Sequence, residues 1–150
     1  MLVFWLVGAH NRLVRLRADV NSRFADLAEQ LDQYSSLVSS WAMSGQDLSA
    51  LQTLLGAVHT LDGALHDCKG RLNQAPHLAA LGQAVVVFND TWARLGEQSE
   101  VAADKLRLAQ EMERCRGLYN QAVEVYNQAI AQFPALVLAK LLGFHVAHAL

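Results

Sequence analysis

The sequence predicts an all-α protein, namely an antiparallel up-down-up-down four-helix bundle with a long N-terminal helix. Apolar residues recur at spacings of three and four over most of the 150 residues, which is the period of helices with one buried face. Only two prolines occur, Pro76 and Pro134, and no segment shows the alternation and β-branched enrichment of a strand. A chain of this length can bury a core as one domain without disulfides or metals.

The first helix is predicted from residue 2 to residue 41, where no proline interrupts the pattern. At 1.5 Å per residue it would be about 60 Å long, which exceeds the width of a small domain. Its apolar seam consists of Leu2, Leu6, Ala9, Leu13, Leu16, Val20, Phe24, Leu27, Leu31, Tyr34, Val38 and Trp41.

Three further helices follow, with apolar seams over residues 48–72, 78–95 and 101–133. Ser99 and Glu100 form a typical N-cap and first turn for the last of them, and Pro134 is expected to end or kink it. The breaks between the helices are short. They favour hairpins that bury every seam within one chain over a coiled coil between chains.

The composition restricts the classes of function. Apolar residues make up 53% of the chain and charged residues 17%, with a net charge of -2. Lys and Arg are spread along the sequence and form no broad basic face, so nucleic-acid binding is not expected. Cys68 and Cys115 occupy apolar helical positions and are predicted to be buried free thiols.

The N-terminus has the character of a membrane contact. Residues 1–9 carry no charged side chain and precede Arg12, Arg15 and Arg17. Nine residues are too few to cross a bilayer, which takes about 20, and they lack the pattern of a signal peptide. Three interpretations follow: the inner part of a longer anchor, an insertion in the membrane plane, or a helix end that packs on another surface. The residues predicted to contact the membrane are Leu2, Val3, Phe4, Trp5, Leu6 and Val7.

The C-terminal tail, residues 135–150, is also apolar, with one Lys and two His among its residues. Because the first and fourth helices run antiparallel, this tail is expected at the same end of the bundle as residues 1–9. It either enters the lipid interface or caps the core.

Two motifs carry a family resemblance. The C-terminal one comprises two Tyr-Asn pairs seven residues apart, a Phe-Pro pair and a Gly-Phe pair, and the N-terminal one lies in the first helix. Together they resemble the signature and the first long helix of the bacterial LemA family. The residues that carry the resemblance are Asn11, Arg17, Arg116, Tyr119, Asn120, Tyr126, Asn127, Phe133, Pro134, Gly143 and Phe144.

The resemblance implies a single membrane-spanning N-terminal helix in the bacterial inner membrane and a helical bundle on the cytoplasmic side, with no established enzymatic activity or cofactor. It assigns residues 1–10 to the inner part of the anchor, 11–134 to the bundle and 135–150 to the tail. The arginine cluster independently predicts the cytoplasmic side by the positive-inside rule.

Candidate chemistry is sparse. His59, Asp62, His66 and Asp67 lie on successive helical turns, and His145 and His148 are three residues apart. A closed metal site needs three or four ligands, so we interpret these side chains as solvated and predict no metal or cofactor. The common catalytic motifs are absent from the sequence, so no catalytic residue is assigned and a non-enzyme is expected.

The repeated Tyr-Asn pair needs a reason, because Asn is a poor helix former. Placing Trp41 opposite Val101 brings Asn11 within about a turn of Asn127. We therefore hypothesise a polar layer in which Asn side chains fix the register of the first and fourth helices. The alternative is solvated Asn beside core Tyr.

The predicted function is a membrane-tethered scaffold that presents its bundle to an unidentified protein partner and contacts lipid through the N-terminal helix; self-association is compatible with it. The alternatives are a peripheral lipid-binding bundle and, third, a metal-binding enzyme.

Overall fold

A computed structural model describes residues 1–42, 48–94, 99–132 and 135–150. Four long helices confirm the predicted fold class: α1 (Leu2–Ala42), α2 (Leu48–Cys68), α3 (Ala75–Arg94) and α4 (Ser99–Ala131). A fifth, α5 (Ala135–Leu142), forms within the tail, where no helix was predicted. Phe133, Pro134 and the breaks at 43–47 and 95–98 lie outside the described residues.

Cross-helix contacts fix the antiparallel register of α1 and α4. The Arg12 side chain donates to Gln132 Oε1 at 3.4 Å, and the Phe24 and Tyr119 rings meet edge to face with centroids 5.7 Å apart. The predicted pairing of Trp41 with Val101 places residue 130 opposite Arg12 and residue 118 opposite Phe24. The observed partners are Gln132 and Tyr119, so the predicted register is correct to within two residues.

The α2–α3 hairpin covers only the part of α1 that is distant from its N-terminus. Ser35 on α1 donates to Asp62 on α2 at 3.4 Å. Because the two helices are antiparallel, Cys68, the last residue of α2, lies at the level of about residue 29 of α1. Tyr34 joins α1 to α3, because its ring lies 4.9 Å from that of Phe88. The four-helix core therefore occupies the distal half of the molecule.

At the N-terminal end of the bundle, the remainder of α1 pairs with the second half of α4. There α5 and the segment after it cover the side of this helix pair that the α2–α3 hairpin leaves open, since α5 contacts both α1 and α4. The most deeply buried side chains extend through both halves: Leu13, Val20, Leu27, Leu31, Val38, Leu54, Leu61, Cys68, Leu81, Phe88, Tyr119 and Tyr126.

Most of the predicted α1 seam is buried, but its beginning is not. Leu2 is 71% exposed, and Leu6 is half-buried. The cause is the register, which places Ala131, the last residue of α4, opposite residues 12 and 13. The first ten residues of α1 thus project past the end of α4.

The two cysteines are buried free thiols, as predicted. Cys68 donates to the carbonyl oxygen of His77 at 3.1 Å, which links the end of α2 to the start of α3. Burial, and then the neighbouring Asp67 carboxylate, raise the pKa of Cys68. Burial also raises the pKa of Cys115.

The core assignment can be tested on one helix. Leu61 is fully buried, whereas Leu55, also on α2, is 41% exposed. We expect Leu61→Ala to lower the free energy of unfolding by about 2–5 kcal/mol because it leaves a cavity. Leu55→Ala should change it by less than about 1 kcal/mol. Urea denaturation measures both, and equal losses would contradict the placement of α2.

Candidate functional site

The two asparagines of the Tyr-Asn repeat bind the backbone of the C-terminal segment. The Ala147 N–H donates to Asn127 Oδ1 at 2.9 Å, and Asn127 Nδ2 donates to the Ala147 carbonyl at 2.8 Å. Asn120 repeats the arrangement on Leu150, with distances of 2.8 Å to its N–H and 3.1 Å to its carbonyl. Each side-chain amide thus pairs with one residue as the edge of a neighbouring strand would.

The two tyrosines contribute one hydrogen bond each to the same segment. The Tyr126 hydroxyl donates to the His145 carbonyl at 2.9 Å, and the Tyr119 hydroxyl donates to the His148 carbonyl at 2.7 Å. We call the α4 side chains Tyr119, Asn120, Tyr126 and Asn127, together with Arg116, the C-terminal clamp, and residues 145–150 the clamped segment.

The spacing of the clamp follows from helix geometry. Seven residues of α4 rise about 10.5 Å, and three residues of extended chain advance about 9–10 Å. A Tyr-Asn pair repeated after seven residues therefore meets the same backbone groups three residues further along, at 145 and 148 for tyrosine and at 147 and 150 for asparagine.

The clamped segment is fixed on its other sides too. Arg116 Nε donates to the Leu150 carbonyl at 3.1 Å, and the His148 N–H donates to the Leu72 carbonyl in the α2–α3 connection at 2.9 Å. The side chain of Leu150 approaches α3, since a Cβ built on Gly82 would lie 3.9 Å from Leu150 Cδ1. The segment thereby joins α4 to the α2–α3 hairpin.

The hypothesis of a polar layer between Asn11 and Asn127 is wrong. Asn11 is exposed, and both polar atoms of the Asn127 amide are bonded to Ala147. The register of α1 and α4 was predicted well, but the partner of the asparagine is a segment that the helical pattern does not reveal. Tyr119 and Tyr126 are both buried, as expected from their position in the apolar seam of α4.

The Gly-Phe pair forms the turn that leads into the clamped segment. Gly143 has a φ of 72°, and the Phe144 N–H donates to the Ala139 carbonyl at 3.0 Å. This is a Schellman motif, which favours glycine because a side chain is strained at positive φ. Phe144 is buried between α1 side chains, with the Arg17 guanidinium 5.0 Å from its ring centroid and the His10 ring at 5.9 Å.

The structure therefore brings together eight of the predicted motif residues, from Arg17 on α1 to Gly143 and Phe144 after α5, around the C-terminal segment. Asn11 stands apart from them, and Phe133 and Pro134 lie outside the described residues. The segment itself, residues 145–150, was missed as a structural element. The sequence feature that indicated such a segment was the repeat of Asn after seven residues, because the two side-chain amides need hydrogen-bond partners.

A second feature is the apolar surface at the N-terminal end. Residues Leu2 to Val7 are exposed except for the half-buried Leu6, and Phe4 is 86% exposed. On α5, Leu138 and Ala139 face the core, while Leu136, Val137, Leu141 and Leu142 are exposed. We call the exposed residues of α1 in this stretch, Leu2, Val3, Phe4, Trp5 and Val7, the apolar end.

Charge is segregated along the bundle. Residues 1–18 and 125–150 contain four of the 12 Lys and Arg residues, namely Arg12, Arg15, Arg17 and Lys140, and none of the 14 Asp and Glu residues. The remaining residues, 19–124, hold eight basic and 14 acidic residues, a net charge of -6. The N-terminal end of the bundle, where these two stretches lie, is thus positively charged, and the rest of the chain is negative.

Within the described helices, none is both long enough and apolar enough to cross a bilayer. The prediction of a single spanning helix is therefore not supported by α1 as the structure describes it.

The candidate metal ligands do not form a site. His59, Asp62, His66 and Asp67 are exposed, and Asp62 accepts the bond from Ser35. Across the parts of the chain that the structure describes, no three His, Cys, Asp or Glu side chains are placed to hold a metal ion. A cavity of about 330 Å³ lies between α1, the α2–α3 connection and the clamped segment, where Arg17, Asn21, Asn73 and His145 contribute to its lining.

The clamp predicts a measurable loss. Asn127→Ala removes two hydrogen bonds and leaves both backbone groups of Ala147 unpaired, so the free energy of unfolding should fall by about 1–3 kcal/mol. The control is Asn21→Ala on the exposed face of α1, where alanine is a better helix former and should be neutral or slightly stabilising. Equal results in urea denaturation would contradict the clamp.

The turn at Gly143 gives an independent prediction. Gly143→Ala should destabilise the protein by about 1 kcal/mol because alanine is strained at positive φ. Gly117→Ala, on the exposed surface of α4 with open space around it, should instead stabilise by up to about 1 kcal/mol. Thermal unfolding of the two variants tests this opposition of signs.

All three tyrosines of the chain have raised pKa values, because burial disfavours the phenolate. Burial raises the pKa of Tyr34 from 10.0 to about 12, and it also raises the pKa of Tyr119 and of Tyr126, although Arg17 partly offsets the shift at Tyr126.

Between pH 10 and about 12, the unfolded chain releases phenolic protons that the folded protein retains. The contribution of buried Tyr34 to the free energy of unfolding is therefore complete below pH 10 and is lost as the pH rises toward about 12. We expect the free energy of unfolding to fall less steeply in this window for Tyr34→Phe than for the unsubstituted protein. Parallel curves in alkaline urea titrations would show that Tyr34 ionises normally.

Comparison with known proteins identifies the family of the chain. The model of the LemA family matches residues 11–150, which include the clamp, the turn at Gly143 and the clamped segment. No curated protein and no solved structure matches the chain. Since the match covers all but the first ten residues, the chain belongs to the LemA family.

Proposed function

We propose that this protein is a membrane-attached helical scaffold of the bacterial inner membrane, without catalytic activity. The apolar end contacts lipid, and the bundle presents its faces to a protein partner on the cytoplasmic side. The observation that carries the proposal is the exposed, uncharged start of α1, which projects past α4 and is followed at once by Arg12, Arg15 and Arg17.

The energy available from this surface is sufficient for attachment. Complete burial of a Val, Leu or Phe side chain contributes about 1.5–3 kcal/mol, and Leu2, Val3, Phe4 and Val7 are all at least 50% exposed. Exposed apolar patches of this kind are typical of interaction sites. Membership in the LemA family is consistent with membrane association.

The charge distribution supports one orientation. Anionic headgroups attract Arg12, Arg15 and Arg17, and each basic residue near such a surface contributes about 1 kcal/mol. The net charge of -6 on residues 19–124 is repelled by the same surface. The distal half of the bundle therefore points away from the lipid and is free to meet a partner.

The use of the polar side chains supports a structural role over a catalytic one. The family signature is the richest polar feature in the sequence, and its Tyr, Asn and Arg side chains are bonded to the chain's own C-terminal backbone. They bind and orient a segment of the protein, and this makes them part of the fold that presents the apolar end.

Flotation with lipid vesicles tests the proposal on the full chain. Val3→Gln/Phe4→Gln removes two exposed apolar side chains from the apolar end. Val86→Gln/Val87→Gln, two adjacent valines that are similarly exposed on α3, is the matched control. We expect the first variant to float at least tenfold less than the unsubstituted protein, since the loss of about 1.4 kcal/mol is a factor of ten.

The control variant should float as the unsubstituted protein does. If the unsubstituted protein stays at the bottom of the gradient with every vesicle, lipid attachment through the apolar end is refuted. Crosslinking in native membranes, followed by identification of the captured chain, then tests the scaffold role.

A further inference from the structure

We propose that the outward face of α5 is a second lipid-contacting surface, specific for anionic headgroups, which binds the bilayer beside the start of α1. The inference rests on the proposed function and extends it to a part of the chain with no role so far. The occupant of the face is the headgroup region of an anionic membrane.

The polarity of α5 is unusual for a helix on a protein surface, because its exposed side is mostly apolar. At 100° per residue, Leu136, Val137, Lys140 and Leu141 fall within an arc of about 140°. All four are exposed, and Leu141 reaches 75%. The opposite side, with Leu138 and Ala139, is buried against α1 and α4. Both sides of the helix are thus apolar, and one of them has no contact that covers it within the described residues.

The contacts around α5 prevent the helix from turning this face inward. Its C-terminus is closed by the Schellman bond from Phe144 to Ala139 at 3.0 Å, and Phe144 is packed under Arg17. Beyond it, the C-terminal clamp fixes residues 145–150. The helix is therefore held in one orientation by contacts on its buried side and at its end.

The positive charge around α5 favours an anionic surface as the occupant of this face. Lys140 lies in the exposed arc, and no acidic residue occurs in residues 1–18 or 125–150. Arg12, which donates to Gln132 just before α5, adds a second cation near the start of the helix. An apolar arc that carries one cation and has a second cation beside it fits the boundary between acyl chains and anionic headgroups. A second copy of the chain would bring the same cations face to face, which is unfavourable.

The geometry allows one bilayer to touch both surfaces. Residues 2–10 of α1 rise about 12 Å, and His10 marks the level at which the chain after α5 packs, through its contact with Phe144. The headgroup region on each side of a bilayer is about 5–8 Å thick. When the start of α1 enters the hydrocarbon, α5 therefore lies at the depth of the headgroups.

The test uses the full chain with two kinds of vesicle, phosphatidylcholine alone and phosphatidylcholine with an equal part of phosphatidylglycerol. Val137→Gln/Leu141→Gln should weaken binding to the mixed vesicles about tenfold, because two apolar contacts are lost. Val86→Gln/Val87→Gln is again the control for two exposed apolar residues on a remote helix.

The charge component has its own pair of variants. Lys140→Gln should weaken binding to the mixed vesicles about fivefold, the factor that corresponds to about 1 kcal/mol, and leave binding to phosphatidylcholine unchanged. Arg107→Gln removes an exposed cation from the distal half of α4 and should have no effect on either.

The outcomes separate the two proposals. Failure of the unsubstituted protein to bind any vesicle refutes the proposed function itself. If Val3→Gln/Phe4→Gln weakens binding while Val137→Gln/Leu141→Gln and Lys140→Gln match their controls, the inference about α5 is overturned and the attachment through α1 stands. If Val137→Gln/Leu141→Gln changes the sedimentation velocity of the protein without lipid and leaves vesicle binding unchanged, the face contacts a second copy of the chain. That result would also overturn the inference about α5.

Discussion

The pairing of Asn120 and Asn127 with the backbone of Leu150 and Ala147 is the interaction on which the N-terminal end of this molecule depends. Beyond the α2–α3 hairpin, α1 and α4 are left as a pair of antiparallel helices, which cannot enclose a core by themselves. Tyr119, Tyr126 and Val20 would then face water on one side. The clamped segment covers that side. The asparagine amides pair with the backbone of Ala147 and Leu150, and the tyrosine hydroxyls accompany them by donating to the carbonyls of His145 and His148.

This arrangement explains why poor helix formers occupy the interior of a long helix. An asparagine in place of alanine costs α4 about 0.5–0.7 kcal/mol in helix propensity, while the two hydrogen bonds that it forms contribute about 1–3 kcal/mol. The balance favours asparagine only if the backbone of the segment is buried. The burial of Ala147, at 6% exposure, meets that condition.

The same contacts determine the surface that we assign to lipid. Because the clamp and the Gly143 turn fix the chain on either side of Phe144, α5 packs Leu138 and Ala139 inward and leaves Leu136, Val137 and Leu141 outward. A tail without these contacts would bury its leucines against whatever apolar surface lay nearby. The clamp thus couples the fold to the membrane end, and the cations nearby give that end its preference in lipid.

Helical periodicity was enough to predict the four long helices, the buried thiols of Cys68 and Cys115 and the α1–α4 register to within two residues. It placed Leu2 in the seam because the pattern continues past the point where α4 ends, a limit that only the register reveals. It could not identify the partner of Asn127, since extended chain has no helical period and its contacts use backbone atoms that every residue shares. The double role of the tail also escaped it, because Leu138 and Leu141 are the same residue type and differ only in the side of α5 on which they lie.

Hydrogen exchange of the C-terminal backbone amides in the unsubstituted protein shows whether the clamp holds residues 145–150 in solution. The amides of Ala147, His148 and Leu150 donate to Asn127, Leu72 and Asn120, respectively. We expect these three amides to be protected, and the protection of Ala147 and Leu150 to approach that of the α4 amides around Tyr119. Exchange of all three at the rate of an unstructured chain would contradict it.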